Sequence, residues 1–218
     1  LLSGVRTQTG MRHVWTTFSN DQIDLNYANP DVLIEFVDIL LYYVRRGARM
    51  LRLDAVAYLW KTLGTSCIHL PQTHQVVKLF RDVLEIVEPA ALVMTETNVP
   101  HAENISYFGD GDEAHVIYQF SLPPLLLHAL FAGTSRYLSD WAMQLQSFKK
   151  PKNCTYLNFT ASHASVGLLP LAGLVPAAEV DALLEQRHLI DDAHHCPHGR
   201  PTLVQITLGE LEKRFCRR

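Results

Sequence analysis

Cysteine is scarce in this chain: its 218 residues hold four, Cys67, Cys154, Cys196 and Cys216, with no CxxC pair and no dense spacing. So few, so far apart, exclude a disulfide-stapled scaffold, and reduced thiols in a cytoplasmic protein are the expectation. Apolar runs are short and broken, so no membrane span is expected. Residue 1 is leucine, and no basic-then-apolar signal segment opens the chain. The net charge is only −3, which offers no electrostatic grip on nucleic acid or an anionic membrane. No internal repeat is evident, and no glycine-rich phosphate loop follows an apolar segment. What remains, 48% hydrophobic and 19% charged residues, is the composition of a soluble globular protein large enough to bury a core.

From residue 29 the signals alternate between helix and strand. Asn29 can cap a helix and Pro30 suits its first position. Leu33, Phe36, Val37, Leu40, Leu41 and Val44 then recur at helical spacing, and Arg45-Arg46-Gly47 is a stop. A strand-like run from Met50 to Leu53 ends on Asp54. A second cycle follows: a helix through Val76, Val77, Leu79, Phe80, Val83, Leu84 and Val87, stopped by Pro89, then a buried strand from Leu92 to Thr95 ending on Glu96. Further strands are expected at 115–118 and 155–159, with helices at 125–131, around Trp141, and at 177–187. Strands alternating with helices predict βα units and a parallel sheet. Reactive residues at strand C-termini favour the barrel over the doubly wound sheet.

Two carboxylates carry the candidate chemistry. Arg52 and Asp54 share a face, because side chains alternate along a strand, so the guanidinium can orient the carboxylate. Glu96 directly follows an apolar strand, where partial desolvation suits a carboxyl to acid and base work. Retaining glycosidases use such a pair, one as nucleophile and one as acid/base. Each carboxylate alone also fits a plain charged loop boundary. The acidic loop Gly109-Asp110-Gly111-Asp112-Glu113 lacks calcium-loop spacing and reads as a solvated turn. His194, His195 and His198 with Cys196 match no closed zinc arrangement.

The segment Gly47-Ala48-Arg49-Met50-Leu51-Arg52-Leu53-Asp54-Ala55 resembles the nucleophile segment of the α-amylase superfamily, and Glu96 matches its general acid/base. Gln22-Ile23-Asp24-Leu25-Asn26 resembles the segment preceding the nucleophile strand, and Ser162-His163 matches one that normally reads His-Asp. Gly64-Thr65-Ser66-Cys67 and residues 122–130 are similar to the sucrose-phosphorylase-like branch. The resemblance covers roughly residues 13–185 and implies a partial (β/α)8 barrel. It implies a retaining α-glucoside phosphorylase, with Asp54 as nucleophile, Glu96 as acid/base, and Arg52 and His163 contacting substrate. Inorganic phosphate is the implied co-substrate, with no metal or organic cofactor. The expected partners are a small α-glucoside and phosphate, with no nucleic acid and no membrane; nothing specifies an oligomer. An α-glucosidase or amylase-type hydrolase, and a non-catalytic remnant, are the alternatives.

Three departures qualify the resemblance. The family's transition-state aspartate after His163 is replaced by Ala164, which offers neither charge nor hydrogen bonds. Asn98 stands where sucrose phosphorylases carry histidine, which points away from sucrose and toward glucosylglycerate or a phosphorylated sucrose. The chain is also expected to lack the barrel's first strands, its closing strand and the C-terminal domain. On this reading residues 1–28 end an inserted loop region, 29–190 form the partial catalytic barrel, and 191–218 are an atypical tail.

Overall fold

A computed structural model describes residues 2–162 and 166–185. The chain forms two compact units, Leu1–Val93 and Met94–Arg218.

The first unit opens with a hairpin, β1 (Leu2–Thr7) antiparallel to β2 (Gly10–Trp15), with Thr7 opposite Gly10. Gly10 adopts φ 113°, a conformation that side-chain-bearing residues resist, so it closes the two-residue turn. Helix α1 (Pro30–Arg45) begins where the sequence predicts, the Asn29 carboxamide oxygen accepting from the Asp31 N–H at 3.1 Å. It ends at Gly47, φ 96°, whose N–H donates to the Val44 carbonyl. Strand β3 (Met50–Leu53) follows, then α2 (Pro71–Val87) and β4 (Leu92–Thr95), which straddles the boundary between the units. The start of β4 lies against the approach to β3, Leu92 N–H donating to the Arg49 carbonyl at 2.8 Å.

Leu40 and Val44 of α1, Leu51 of β3, Val76, Phe80 and Leu84 of α2, and Val93 of β4 form one buried cluster. Phe80 is only 2% exposed. Phe80→Ala is therefore expected to lower unfolding free energy by about 3–5 kcal/mol, read as a fall in the urea midpoint.

In the second unit β4 is continued by a short helix, α3 (His101–Asn104), and then by β5 (Val116–Tyr118). Helices α4 (Leu122–Ala132) and α5 (Arg136–Ser147) precede β6 (Thr155–Leu157), and α6 (Ala177–Glu185) closes the described chain. Strands β4, β5 and β6 are parallel, with Thr95 beside Ile117 and Ile117 beside Tyr156. Leu125, Trp141, Leu171 and Val175 make the core against which α4, α5 and the α6 face pack.

The architecture is α/β with a parallel sheet, as predicted. Strand β5 starts one residue after its expected beginning and β6 ends two before its expected end, because pairing stops at Leu157. The acidic loop at 109–113 is not a solvated turn: Glu113 is 3% exposed, and Gly109, φ 54°, lets the chain fold tightly over Asp112 and Glu113. Residues 186–218, including the expected tail and its histidines, lie outside the described residues, as do the last two positions of the predicted helix at 177–187.

Candidate active site

Alternation along β3 buries Leu51 and turns Arg52 outward on the same face as Asp54. The two side chains meet as predicted, Arg52 Nη1 lying 2.5 Å from Asp54 Oδ1, with 71% of the Asp54 side chain exposed. Ala55, the next residue, sits in the left-handed region at φ 47° and ψ 35°. An alanine there carries about 1–2 kcal/mol of backbone strain, which the surrounding packing must hold. Val56 and Ala57 supply that hold: both are buried at the start of a single 3-10 turn, Val56–Tyr58, and Ala57 accepts from the His69 N–H at 3.0 Å.

Asp54 and Ala55 open onto a cleft of about 240 Å3. Two stretches of chain wall it: Phe18, Gln22, Asp24, Leu25 and Tyr27 from one, and Val56, Tyr58 and Leu59 from the other. The Phe18 and Tyr58 rings meet edge to face at 5.3 Å. Burial pushes the Tyr27 hydroxyl pKa up, so it remains a neutral hydrogen-bond donor at physiological pH. Burial also pushes the Asp24 carboxyl up, but hydrogen bonds from Lys61 and Thr17, with the Lys61 charge, outweigh it and hold the group below the usual range. Lys61 Nζ stands 2.8 Å from Asp24 Oδ2.

Glu96 is half-buried at the end of β4, between Thr95 and Thr97, which are fully buried. Its loop is tied down from beneath. The Thr97 hydroxyl donates to Asn104 Oδ1 at 2.6 Å, and Asn104 Nδ2 donates to the Tyr118 carbonyl at 2.7 Å. These bonds join the loop after β4 to α3 and the end of β5, so the chain next to Glu96 is held by the buried side chains of Thr97 and Asn104. Asn98 is exposed, and Gly167 approaches it so closely that an added methyl group would lie 2.9 Å from Asn98 Nδ2.

Arg52 and Asp54 thus lie together in the first unit, while Glu96 belongs to the second. His163 and Ala164 lie outside the described residues. The segment at 64–67 forms a knotted turn: Gly64 has φ 80°, and the Thr65 hydroxyl and Cys67 thiol both donate to the Thr62 carbonyl. A second concavity of about 270 Å3 lies between α4 and α6. There Glu179 accepts from the Tyr137 hydroxyl at 2.5 Å and lies 2.8 Å from His128 Nε2. The hydrogen bond from Tyr137, more than the one to His128, holds the Glu179 carboxyl below its usual range despite the opposing effect of burial. That trio fastens α6 to α4 and contains none of the predicted reactive groups, so the cleft at Asp54 is the candidate site. Among the described residues no cluster of three or more His, Cys, Asp or Glu could hold a metal ion, and no helix is long and apolar enough to cross a membrane.

The site thus consists of a carboxylate at a strand end, followed by a strained turn and opening onto a cleft with aromatic lining. The profile of the alpha amylase catalytic domain matches residues 8–166. The chain belongs to this family. It is 58% identical over 172 residues to a glucosylglycerate phosphorylase of Spirochaeta thermophila, covering 79% of this chain and 29% of the relative. The protein of that name from Escherichia coli is 54% identical over 175 residues, covering 80% and 31%. The chain therefore spans about a third of the length of the curated relatives it matches. The crystal structure of sucrose 6F-phosphate phosphorylase from Thermoanaerobacter thermosaccharolyticum superposes with a TM-score of 0.72 at 20% identity, over 86% of this chain and 38% of that one. This likeness shows the fold, part of a (β/α)8 barrel.

Sequence reasoning missed Thr17, Phe18, Tyr58 and Lys61 as builders of the cleft, and the Thr97–Asn104 bond beneath Glu96. Lys61 was the one available signal: a lysine closing the largely apolar run Ala55-Val56-Ala57-Tyr58-Leu59-Trp60 needs a buried partner.

Proposed function

We propose that the chain carries the nucleophile and acid/base segments of a retaining α-glucoside phosphorylase, with glucosylglycerate as the favoured donor. The observation that carries this is the 50–58% identity to three glucosylglycerate phosphorylases across the stretch holding Asp54 and Glu96. Asn98, in place of the histidine of sucrose phosphorylases, supports a leaving group other than fructose.

In the first step an Asp54 oxygen attacks the anomeric carbon, the glycosidic C–O bond breaks, and Glu96 gives its proton to the departing oxygen. The products are a glucosyl ester on Asp54 and a free alcohol, here glycerate. In the second step a phosphate oxygen displaces Asp54 from the anomeric carbon while its proton passes to Glu96. Two inversions give retention, and α-glucose 1-phosphate leaves with Asp54 and Glu96 restored. Arg52 orients the nucleophile, and His163 is assigned to a sugar hydroxyl. No metal or organic cofactor enters this scheme. The buried thiols of Cys67 and Cys154, neither of them in a disulfide, support a cytoplasmic setting.

Ala164 favours a second reading, a chain that binds sugar without turning it over. The two separate in one experiment: release of α-glucose 1-phosphate from glucosylglycerate, sucrose and sucrose 6F-phosphate, with and without phosphate. Phosphate-dependent release is expected, greatest from glucosylglycerate. Ala164→Asp is expected to raise it about 100-fold or more, the scale of a restored transition-state contact. Release that ignores phosphate would turn the reading to a hydrolase, and silence from both proteins would leave the binding-only reading.

A further inference from the structure

Lys61 is unusual for a lysine. Only 8% of its side chain is exposed, and its ammonium donates to Asp24 Oδ2 at 2.8 Å, Thr17 Oγ1 at 2.8 Å and the Tyr58 carbonyl at 2.6 Å. Asp24 is itself 16% exposed and accepts a short hydrogen bond from the Thr17 hydroxyl. The Thr17 hydroxyl thus accepts a hydrogen bond from Lys61 and donates one to Asp24, closing a three-membered ring of hydrogen bonds. Taking two ions out of water costs several kcal/mol, and a buried pair of this kind seldom adds net stability over well-packed apolar residues. Its presence calls for a positional explanation.

The location supplies one. Asp24 and Thr17 belong to the stretch that carries Phe18 and Tyr27, and Lys61 closes the stretch that carries Asp54 and Tyr58. These are the two walls of the cleft, and the ring of hydrogen bonds is where they are riveted together. The Phe18–Tyr58 contact spans the same two walls.

We propose that Asp24, Lys61 and Thr17 form a positioning clamp that sets the separation of the cleft walls and thereby the approach of a sugar to Asp54. The proposal rests on Asp54 being the nucleophile. None of the three residues is placed against the reacting atoms; they act through Phe18, Tyr58 and the turn at Ala55.

The test compares the full chain with Lys61→Met, Asp24→Leu and the two together, measuring the urea unfolding midpoint and the kcat and KM for phosphate-dependent release of α-glucose 1-phosphate. Each single variant strands one buried partner, so both the midpoint and kcat fall, kcat by tenfold or more with a smaller change in KM. The double variant places two apolar residues of fitting size in the gap. It regains the midpoint but keeps the low kcat. Recovery of both would overturn the proposal, since the pair would then serve stability alone. If the unsubstituted chain releases no α-glucose 1-phosphate from any glucoside, the phosphorylase reading fails by itself. The clamp is then decided by the nuclear Overhauser contact between the Phe18 and Tyr58 rings: its loss in the refolded double variant upholds the proposal, and its persistence there ends it.

Discussion

Asparagine in place of Asp54 is expected to abolish phosphate-dependent release of α-glucose 1-phosphate, by a factor of about 10,000 or more. At about 1.4 kcal/mol per decade, that is roughly 5–6 kcal/mol of lost transition-state stabilisation. A carboxamide nearly preserves the shape of the side chain and can still meet Arg52, so the fold should not change. Asp54 is largely exposed and contributes nothing to the buried cluster of the first unit, so the urea midpoint should move by well under 1 kcal/mol. The decisive observation is that contrast. A variant that keeps most of its activity removes Asp54 as the nucleophile, whatever the family resemblance implies.

Glu96→Gln should behave differently, and the difference is diagnostic. An acid/base residue supplies about 100- to 10,000-fold where the leaving oxygen needs a proton. Loss on that scale is expected with glucosylglycerate. With α-glucosyl fluoride, whose leaving group needs no proton, the first step should survive and fluoride should still be released in a burst. The burst would measure the covalent ester on Asp54 directly, by intact mass, because the second step also lacks its base. Equal losses with both substrates would mean that Glu96 positions the sugar and does not transfer protons. The Thr97–Asn104–Tyr118 chain holds the loop in both proteins, since glutamine leaves those bonds untouched.

How much of this was legible in the sequence depends on the distance over which each feature is encoded. Helix α1 announces itself locally through Asn29, Pro30, a six-residue apolar stripe and Gly47, and it forms within those bounds. Strands β3 and β4 match their expected limits to the residue, because each is a short, mostly apolar run with a charged residue directly after it. The hairpin of β1 and β2 was invisible. Leu2–Thr7 and Gly10–Trp15 are mostly exposed, do not alternate cleanly, and are joined by Gln8-Thr9, which is not a hairpin-favouring pair. Glu113 misled for the opposite reason: acidic residues between glycines suggest solvent, yet its surroundings bury it. Arg52 and Asp54 were readable as a pair because they stand two positions apart at the end of one strand. Lys61 and Asp24 are 37 positions apart, and nothing short of the folded chain brings them together.

The turn at 64–67 has a use of its own. Cys67 is 5% exposed and its thiol is engaged with the Thr62 carbonyl, so a thiol reagent in solution meets it only when the turn opens. The rate at which iodoacetamide alkylates Cys67, followed by peptide mass, is therefore a clock on the motion of the chain just beyond the nucleophile. Slower alkylation with a glucoside present would show that sugar binding stills that turn, and would do so in a protein carrying no added probe.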